Sequence, residues 1–311
     1  MLGFNRQKHL RRTCMDKDSR ELEAKESLRL TSRLAQIVSL LEGDLRGFGP
    51  YVHSEGVEGS LSLAAKLESL CSDVESIRSE LLDSRIPYIK SQIENLDPTS
   101  FGEELNLHLG CGERYLPGWV NIDFYPAPLS MNLLWGLPFR RGSVKRVYTS
   151  HMLEHLYYPD HASRLLREIH SVLAPGGTVR IVVPDIAKWL HAYAGNDSDF
   201  FNRRRDFFDW WPENLTRLEE VLRYAGANNV PGSAPMGHRF GYDFATIEKL
   251  LLSIGFAEVR RCSFMQSPDD NFRVDNVSRV AHAARRDEGG IYAEYSLFVE
   301  ARRAERGLDE S

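Results

Sequence analysis

The chain reads as an α/β protein, a doubly wound domain on a mostly parallel sheet, with an α-helical extension in front of it. Three observations predict this. After Pro98, short apolar runs that end in Gly or polar residues alternate with stretches of helical period. The first of these runs, Leu105–Leu109, leads straight into Gly110-Cys111-Gly112, and the next ends in Asp123. Before Pro98 the apolar residues keep a helical period over most of residues 21–96.

In chain order, residues 1–20 carry Arg6, Lys8, Arg11, Arg12, Lys17 and Arg20, the composition of a solvated terminus. Leu30, Leu34, Ile37 and Leu41 then form one helical stripe, which Gly43, Gly47, Gly49 and Pro50 interrupt. Leu63, Leu67, Leu70, Val74, Ile77 and Leu81 alternate steps of four and three, the spacing of a coiled-coil seam. Pro87 breaks the seam, and Ile89, Ile93 and Leu96 resume it. Two readings stand side by side: a helical hairpin packed on the following domain, or a homo-oligomer held through the seam. The domain boundary is set at residue 98.

From residue 99 on, Leu105–Leu109, Trp119–Ile122 and Arg146–Ser150 are expected strands, and Asp160 is an expected cap for a helix whose face is Leu165, Leu166, Ile169, Val172 and Leu173. Pro175-Gly176-Gly177 is expected to turn the chain into a strand over Thr178–Val183. A helix starting at Tyr242-Asp243 runs through Leu252 and is closed by Gly255. Ala257–Cys262 and Tyr295–Ala301 supply the last two strands.

Composition excludes several classes. Hydrophobic residues make up 42% of the 311, with 15 Phe, 12 Tyr and 5 Trp, too many for a disordered chain. A net charge of -5 gives no overall field for nucleic acid. Four scattered cysteines form no C-x-x-C pair, which fits a reducing compartment. No apolar run reaches bilayer length and no signal-peptide pattern opens the chain, so a cytoplasmic location without an integral membrane segment is expected.

Glycines at the carboxyl end of a first strand let a ligand approach the backbone, and an acid ending the second strand can accept both hydroxyls of a ribose. On these residues the chain resembles the class I S-adenosylmethionine-dependent methyltransferases from about Leu105 to Ala301. Leu107–Gly112, including Leu109, Gly110, Cys111 and Gly112, is similar to that family's first motif, and Asp123 to its ribose-binding acid. Asn132 falls where many members place an adenine-contacting Asp, and Leu137-Pro138-Phe139 resembles the segment under the adenine. Ser150-His151-Met152-Leu153-Glu154-His155-Leu156 is similar to the stretch after the fourth strand, and Leu173–Thr178 to the turn before the fifth. The resemblance implies a Rossmann-like fold with a seven-stranded sheet, and S-adenosylmethionine as cofactor. Two departures are visible. Only eleven positions separate Gly112 from Asp123, so the first crossover helix must be very short or replaced by a loop. The Glu-Arg-Tyr-Leu-Pro-Gly-Trp segment there resembles methyltransferases of glycan and glycolipid pathways.

His151, Glu154, His155 and His238 are the candidate catalytic residues, since histidine accepts protons near neutral pH. They are also a candidate divalent metal set. His151, Glu154 and His155 sit where some related methyltransferases carry Glu-x-x-Glu-His ligands, and a His in first place suits a softer ion than magnesium. A third reading has Glu154 and His155 only capping and bracing the next helix. Residues 186–240 are expected to supply an acceptor pocket or an aromatic lid: Trp189, Tyr193, Phe207, Phe208, Trp210 and Trp211 lie near Arg203, Arg204 and Arg205, aromatic faces beside polar donors that suit a sugar ring; Arg239, Arg273 and Arg279 are candidates to meet an anionic acceptor. The preferred function is O-methylation of a saccharide or glycolipid precursor. Methylation of a small secondary metabolite or quinone-like acceptor is the second reading, and a non-catalytic scaffold using the N-terminal helices the third.

Overall fold

Leu105–Leu109 forms strand β1 in a computed structural model that describes residues 65, 69, 72–73, 89, 92–94, 104–124, 127–207, 214–227, 237–277 and 290–305. The described residues sort into two units, a smaller one with residues up to 94 plus 124 and 130–132, and a larger one with the rest. In the smaller unit Ile89 is buried and the Gln92 amide pairs with Ser130, donating to its carbonyl (3.2 Å) and accepting from its N–H (2.9 Å). Leu63, Leu67, Leu70, Val74, Ile77, Leu81 and Leu96 of the seam, the first helical stripe and the boundary at residue 98 lie outside the described residues, while Ile89 and Ile93 are helical.

β1 belongs to a seven-stranded sheet completed by β2 (Val120–Asp123), β3 (Leu129–Ser130), β4 (Val144–Ser150), β5 (Leu173–Pro184), β6 (Phe256–Cys262) and β7 (Ser296–Arg303), in the order β3-β2-β1-β4-β5-β7-β6, with β4 at its centre. The pairings β1–β2, β1–β4 and β4–β5 are parallel, and β7 runs against both β5 and β6. This is the doubly wound, mostly parallel, Rossmann-like arrangement the sequence predicts. Leu107, Leu109, Ile122, Val147, Ile181 and Val183 are all fully buried, as expected for strands covered on both faces.

Helix α1 (Asp160–Val172) buries Leu165, Leu166, Ile169 and Val172 of its expected stripe, while Leu173 opens β5. Its N-cap is Pro159, with no side-chain capping bond, and the expected cap Asp160 is the first helical residue. The expected turn at Pro175-Gly176-Gly177 is instead a register shift inside β5, which already begins at Leu173 opposite Val144. Gly176 has φ +72, and a Cβ on Gly177 would meet the Ala174 carbonyl at 2.8 Å, so this irregularity needs its glycines. Asp243 caps α5 (Phe244–Ile254) through the Thr246 N–H, and Gly255 ends it at φ +106.

No helix forms between Gly112 and Asp123. Asn121 takes its place: buried on β2, it accepts from Leu116 N–H (2.8 Å) and donates to the Leu116 and Trp119 carbonyls (3.0 Å each). His108 Nδ1 lies 3.0 Å from the same Asn121 oxygen; burial first, against that hydrogen bond, lowers the ring's pKa to about 4, so it stays neutral and donates. One amide thus satisfies a loop that would otherwise bury unpaired backbone.

Residues 186–224 hold α2 (Ile186–Ala194), α3 (Ser198–Phe207) and α4 (Arg217–Tyr224). Trp189 is fully buried, stacked on Tyr224 at 4.1 Å between ring centroids. The buried Arg204 guanidinium lies 4.0 Å from the rings of Trp189 and Tyr295. These residues form that segment's own core. Tyr193 remains exposed. The Phe207 side chain, Phe208, Trp210, Trp211 and Arg279 lie outside the described residues.

A buried ionic group fastens residues 263–275 to the sheet. Arg180 on β5 donates to Asp275 (2.6 and 2.9 Å), to Glu300 on β7 (2.6 Å) and to the carbonyls of Ser263 and Gln266. Burial works against the Arg180 charge, but the two carboxylates outweigh it and raise its pKa above the ordinary value. Among the described residues no helix is long and apolar enough to cross a membrane.

Candidate active site at the carboxyl ends of the parallel strands

The loop after β1 is laid against β2 by its backbone. Gly110 and Cys111 donate to the Ile122 carbonyl (2.9 and 3.2 Å), and Gly112 N–H donates to Asp123 Oδ2 at 2.7 Å. The two glycines are needed for different reasons. Gly110, at φ +69, would place a Cβ 2.5–2.6 Å from Met152 Cγ and Cβ. Gly112, at φ +53, would place its Cβ in open space. Gly110→Ala is thus expected to destabilise the fold by about 2–4 kcal/mol, from overpacking plus the left-handed backbone, and urea melts would measure it. The open side of Gly112 lies beside the half-buried Asp123 carboxylate, so these two could receive a cofactor that has a ribose.

Other expected cofactor residues stand differently. Leu109 is fully buried, so only its backbone faces the loop. Cys111 is buried, and burial, helped by the Asp123 charge, pushes its thiol up to about 12. Leu137 is buried, with its N–H 3.4 Å from Glu168 Oε2. Ser150 Oγ is 2.6 Å from the hydroxyl of Tyr292, which comes from α6 (Gly290–Tyr295). Asn132 is buried and belongs to the smaller unit.

The contact of Gly110 with Met152 sets the segment after β4 beside this loop. His151, at φ +51, is tied back to β5 by its N–H on the Val182 carbonyl (2.8 Å). Its ring is engaged on both sides, Nδ1 3.1 Å from Glu154 Oε1 and Nε2 3.2 Å from Ser296 Oγ. Glu154 sits in a short 3-10 turn (Leu153–His155) and is fully buried. Burial would raise its pKa, but the His151 hydrogen bond and the nearby imidazoles of His151, His155 and His238 overcome this and bring it to about 2. A buried, ionised carboxylate results.

His238 arrives on residues 237–241, which are pinned beside Glu154: Arg239 N–H donates to the Glu154 carbonyl at 2.6 Å, and a Cβ on Gly226 would strike the Arg239 backbone at 2.5 Å. His238 Nε2 is 3.9 Å from Glu154 Oε1, and its Nδ1 is 3.1 Å from the Tyr224 carbonyl. Burial, outweighing the pull of Glu154, lowers its pKa to about 4. The His155 and His238 rings meet edge to face at 5.1 Å. Glu154, His155 and His238 each present a ligand atom within 4.8 Å of the others; His151 stands outside that group as the neighbour that orients Glu154.

Three participants escape a reading by motif. Tyr292 and Ser296 reach the site from the far end of the chain, and Tyr242, read from sequence only as the start of a helix, buries a hydroxyl close enough to Glu154 for that charge, after burial itself, to raise its pKa. For the two tyrosines the signal in the sequence was no more than an aromatic near an expected element, and Ser296 lay inside the expected last strand. The candidate acceptor arginines are otherwise occupied: Arg203 pairs with Glu294, Arg205 with Glu220 and Arg273 with Asp270, while Arg239 lies over the Tyr157 ring.

Residues 107–181 match the family model described as a methyltransferase domain. No curated protein matches the chain. Among solved structures, it is similar to phosphoethanolamine N-methyltransferase 2 of Haemonchus contortus in complex with S-adenosyl-L-methionine, at 12% identity and TM-score 0.35, over 71% of this chain and 53% of that one. The chain thus spans about half the length of that protein. It is also similar to a SAM-dependent methyltransferase of Archaeoglobus fulgidus, at 15% identity and TM-score 0.37, over 70% and 94% of the two chains. The segment that matches the methyltransferase-domain model contains the glycine loop, Asp123 and the His151–His155 stretch.

Proposed function

We propose that the protein transfers the methyl group of S-adenosylmethionine to a hydroxyl of a saccharide or glycolipid precursor, activated at Glu154, His155 and His238. The observation that carries this reading is the buried, ionised Glu154 with two imidazoles beside it, held next to the glycine loop by the Met152–Gly110 contact. A hydroxyl is a poor nucleophile until it sheds its proton, and a cluster of lone pairs around a carboxylate favours that loss. The hydroxyl oxygen forms a bond to the methyl carbon, the carbon–sulfur bond breaks with its electron pair going to sulfur, and the proton passes from the oxygen to the His155 imidazole. The products are the methyl ether and S-adenosylhomocysteine. Gly112 and Asp123 hold the cofactor, the carboxylate facing the ribose. The saccharide class is supported by the resemblance of the Glu113–Trp119 segment.

Methyl transfer from labelled cofactor to a panel of saccharides, glycolipids and phenols tests the acceptor; transfer to phenols alone would overturn the saccharide reading. His155→Ala is expected to lower turnover about 100-fold or more while leaving cofactor affinity within about threefold. Near-normal turnover in single Ala variants at positions 154, 155 and 238 would place proton removal elsewhere.

A further inference from the structure

We propose that Glu154, His155 and His238 form a binding site for one divalent first-row transition ion of the zinc type, with a coordination position left for the acceptor hydroxyl. This deepens the reading of the same three residues given above and rests on it for the role of the ion, not for its binding.

The argument begins with hydrogen-bond bookkeeping at His238. Its Nδ1 faces the Tyr224 carbonyl at 3.1 Å, and a carbonyl offers no proton, so Nδ1 carries the hydrogen of the neutral ring. Nε2 is then a bare lone pair, and it points at Glu154 Oε1 from 3.9 Å. Two acceptors facing each other without a hydrogen between them repel, and burial strengthens that repulsion. Glu154 Oε2 adds to the imbalance: it is buried and has no hydrogen-bond partner among the described residues. The buried Tyr242 hydroxyl, close by, is in the same condition. A cation between them resolves the facing lone pairs and the unpartnered Glu154 oxygen at once. The 3.9 Å gap is one that two metal bonds of about 2.0–2.2 Å span, and His155 supplies a third ligand atom within 4.8 Å.

The donor set selects the ion. Two imidazoles and one carboxylate suit zinc, cobalt or iron better than magnesium or calcium, which take mostly oxygen. Three protein ligands leave an open position, as in catalytic rather than structural sites. His151 holds the carboxylate by Nδ1 and is itself held by Ser296, the outer support that ligands of this kind require. An acceptor hydroxyl on the ion would lose its proton to water more readily, because the ion's charge replaces that of the proton.

The test is direct titration of chelator-stripped full-length protein with Co²⁺, followed by its visible absorption, and with Zn²⁺ by calorimetry. One equivalent is expected to bind, with ring-nitrogen coordination visible in the cobalt spectrum. His238→Ala and His155→Ala should each weaken binding more than about 100-fold, and His151→Ala about 10- to 100-fold, with unchanged circular dichroism. Absence of binding by folded wild-type protein, or binding that survives both His155→Ala and His238→Ala, overturns the proposal. The two readings separate cleanly. Loss of turnover in His155→Ala with no metal bound to wild type refutes the ion and keeps the proton-removal role. Metal bound to wild type, lost in the variants while turnover persists, supports the ion and refutes the catalytic role.

Discussion

Asp123→Ala is expected to weaken S-adenosylmethionine binding about 10- to 100-fold, which titration calorimetry would read directly. A carboxylate accepting from a ribose makes a charged hydrogen bond, and losing one costs about 1.5–3 kcal/mol. The same carboxylate also accepts from Gly112 N–H, so its loss loosens the loop as well. Gly112→Val separates these effects. Its side chain would enter open space, so the strain of the left-handed backbone alone, about 1–2 kcal/mol, bears on folding. If that open side is where the cofactor lies, affinity falls by more than 100-fold in a protein that still folds. Unchanged affinity in both variants would remove Gly112 and Asp123 from the cofactor site.

The second large effect concerns stability. Asp275 is fully buried and accepts from Arg180, from Met265 N–H and from the Tyr148 hydroxyl. Asp275→Ala strips most of the charge balance from a guanidinium that is itself fully buried, which typically costs about 3–5 kcal/mol. Glu300 still faces Arg180 but is shared with Arg260. Urea denaturation should show the loss as a lower midpoint at unchanged slope, and Asp275→Asn, which keeps the shape, should lose less. A loss under about 1 kcal/mol for Asp275→Ala would mean that water reaches the group.

Much of the fold was legible because it is local. The strand Leu105–Leu109, the stripe of the helix through Val172 and the Gly255 stop each declare themselves within one window of sequence. The absent crossover helix was legible too, from the ten residues between Gly112 and Asp123. What escaped is non-local. β3 is two residues long and exists only through its neighbour in the sheet. β5 runs on through Pro-Gly-Gly because β4 pairs with it on both sides of the irregularity. Trp189 looked available for an acceptor, but Tyr224 and Arg204 fill its faces from elsewhere in the chain. At the candidate site the residue types and the spacing of His151, Glu154 and His155 were readable. That His151 is spent on Ser296, and that His238 turns its Nδ1 to a carbonyl, depends on residues that only folding brings near.

The helix-free passage held by Asn121 also bears on which nucleotides this cleft admits. In doubly wound folds that hold dinucleotides, the pyrophosphate rests on the amino end of the first crossover helix, where aligned N–H groups and the positive pole of the helix meet its charge. Residues 110–119 form no helix, and Gly112 spends its N–H on Asp123. A pyrophosphate placed there would gain no helix pole and would face a carboxylate. A cofactor that has a ribose but no phosphate, and whose sulfonium is positive, forfeits nothing by that absence. The short loop is therefore expected to disfavour, by charge, dinucleotides whose pyrophosphate needs that helix pole.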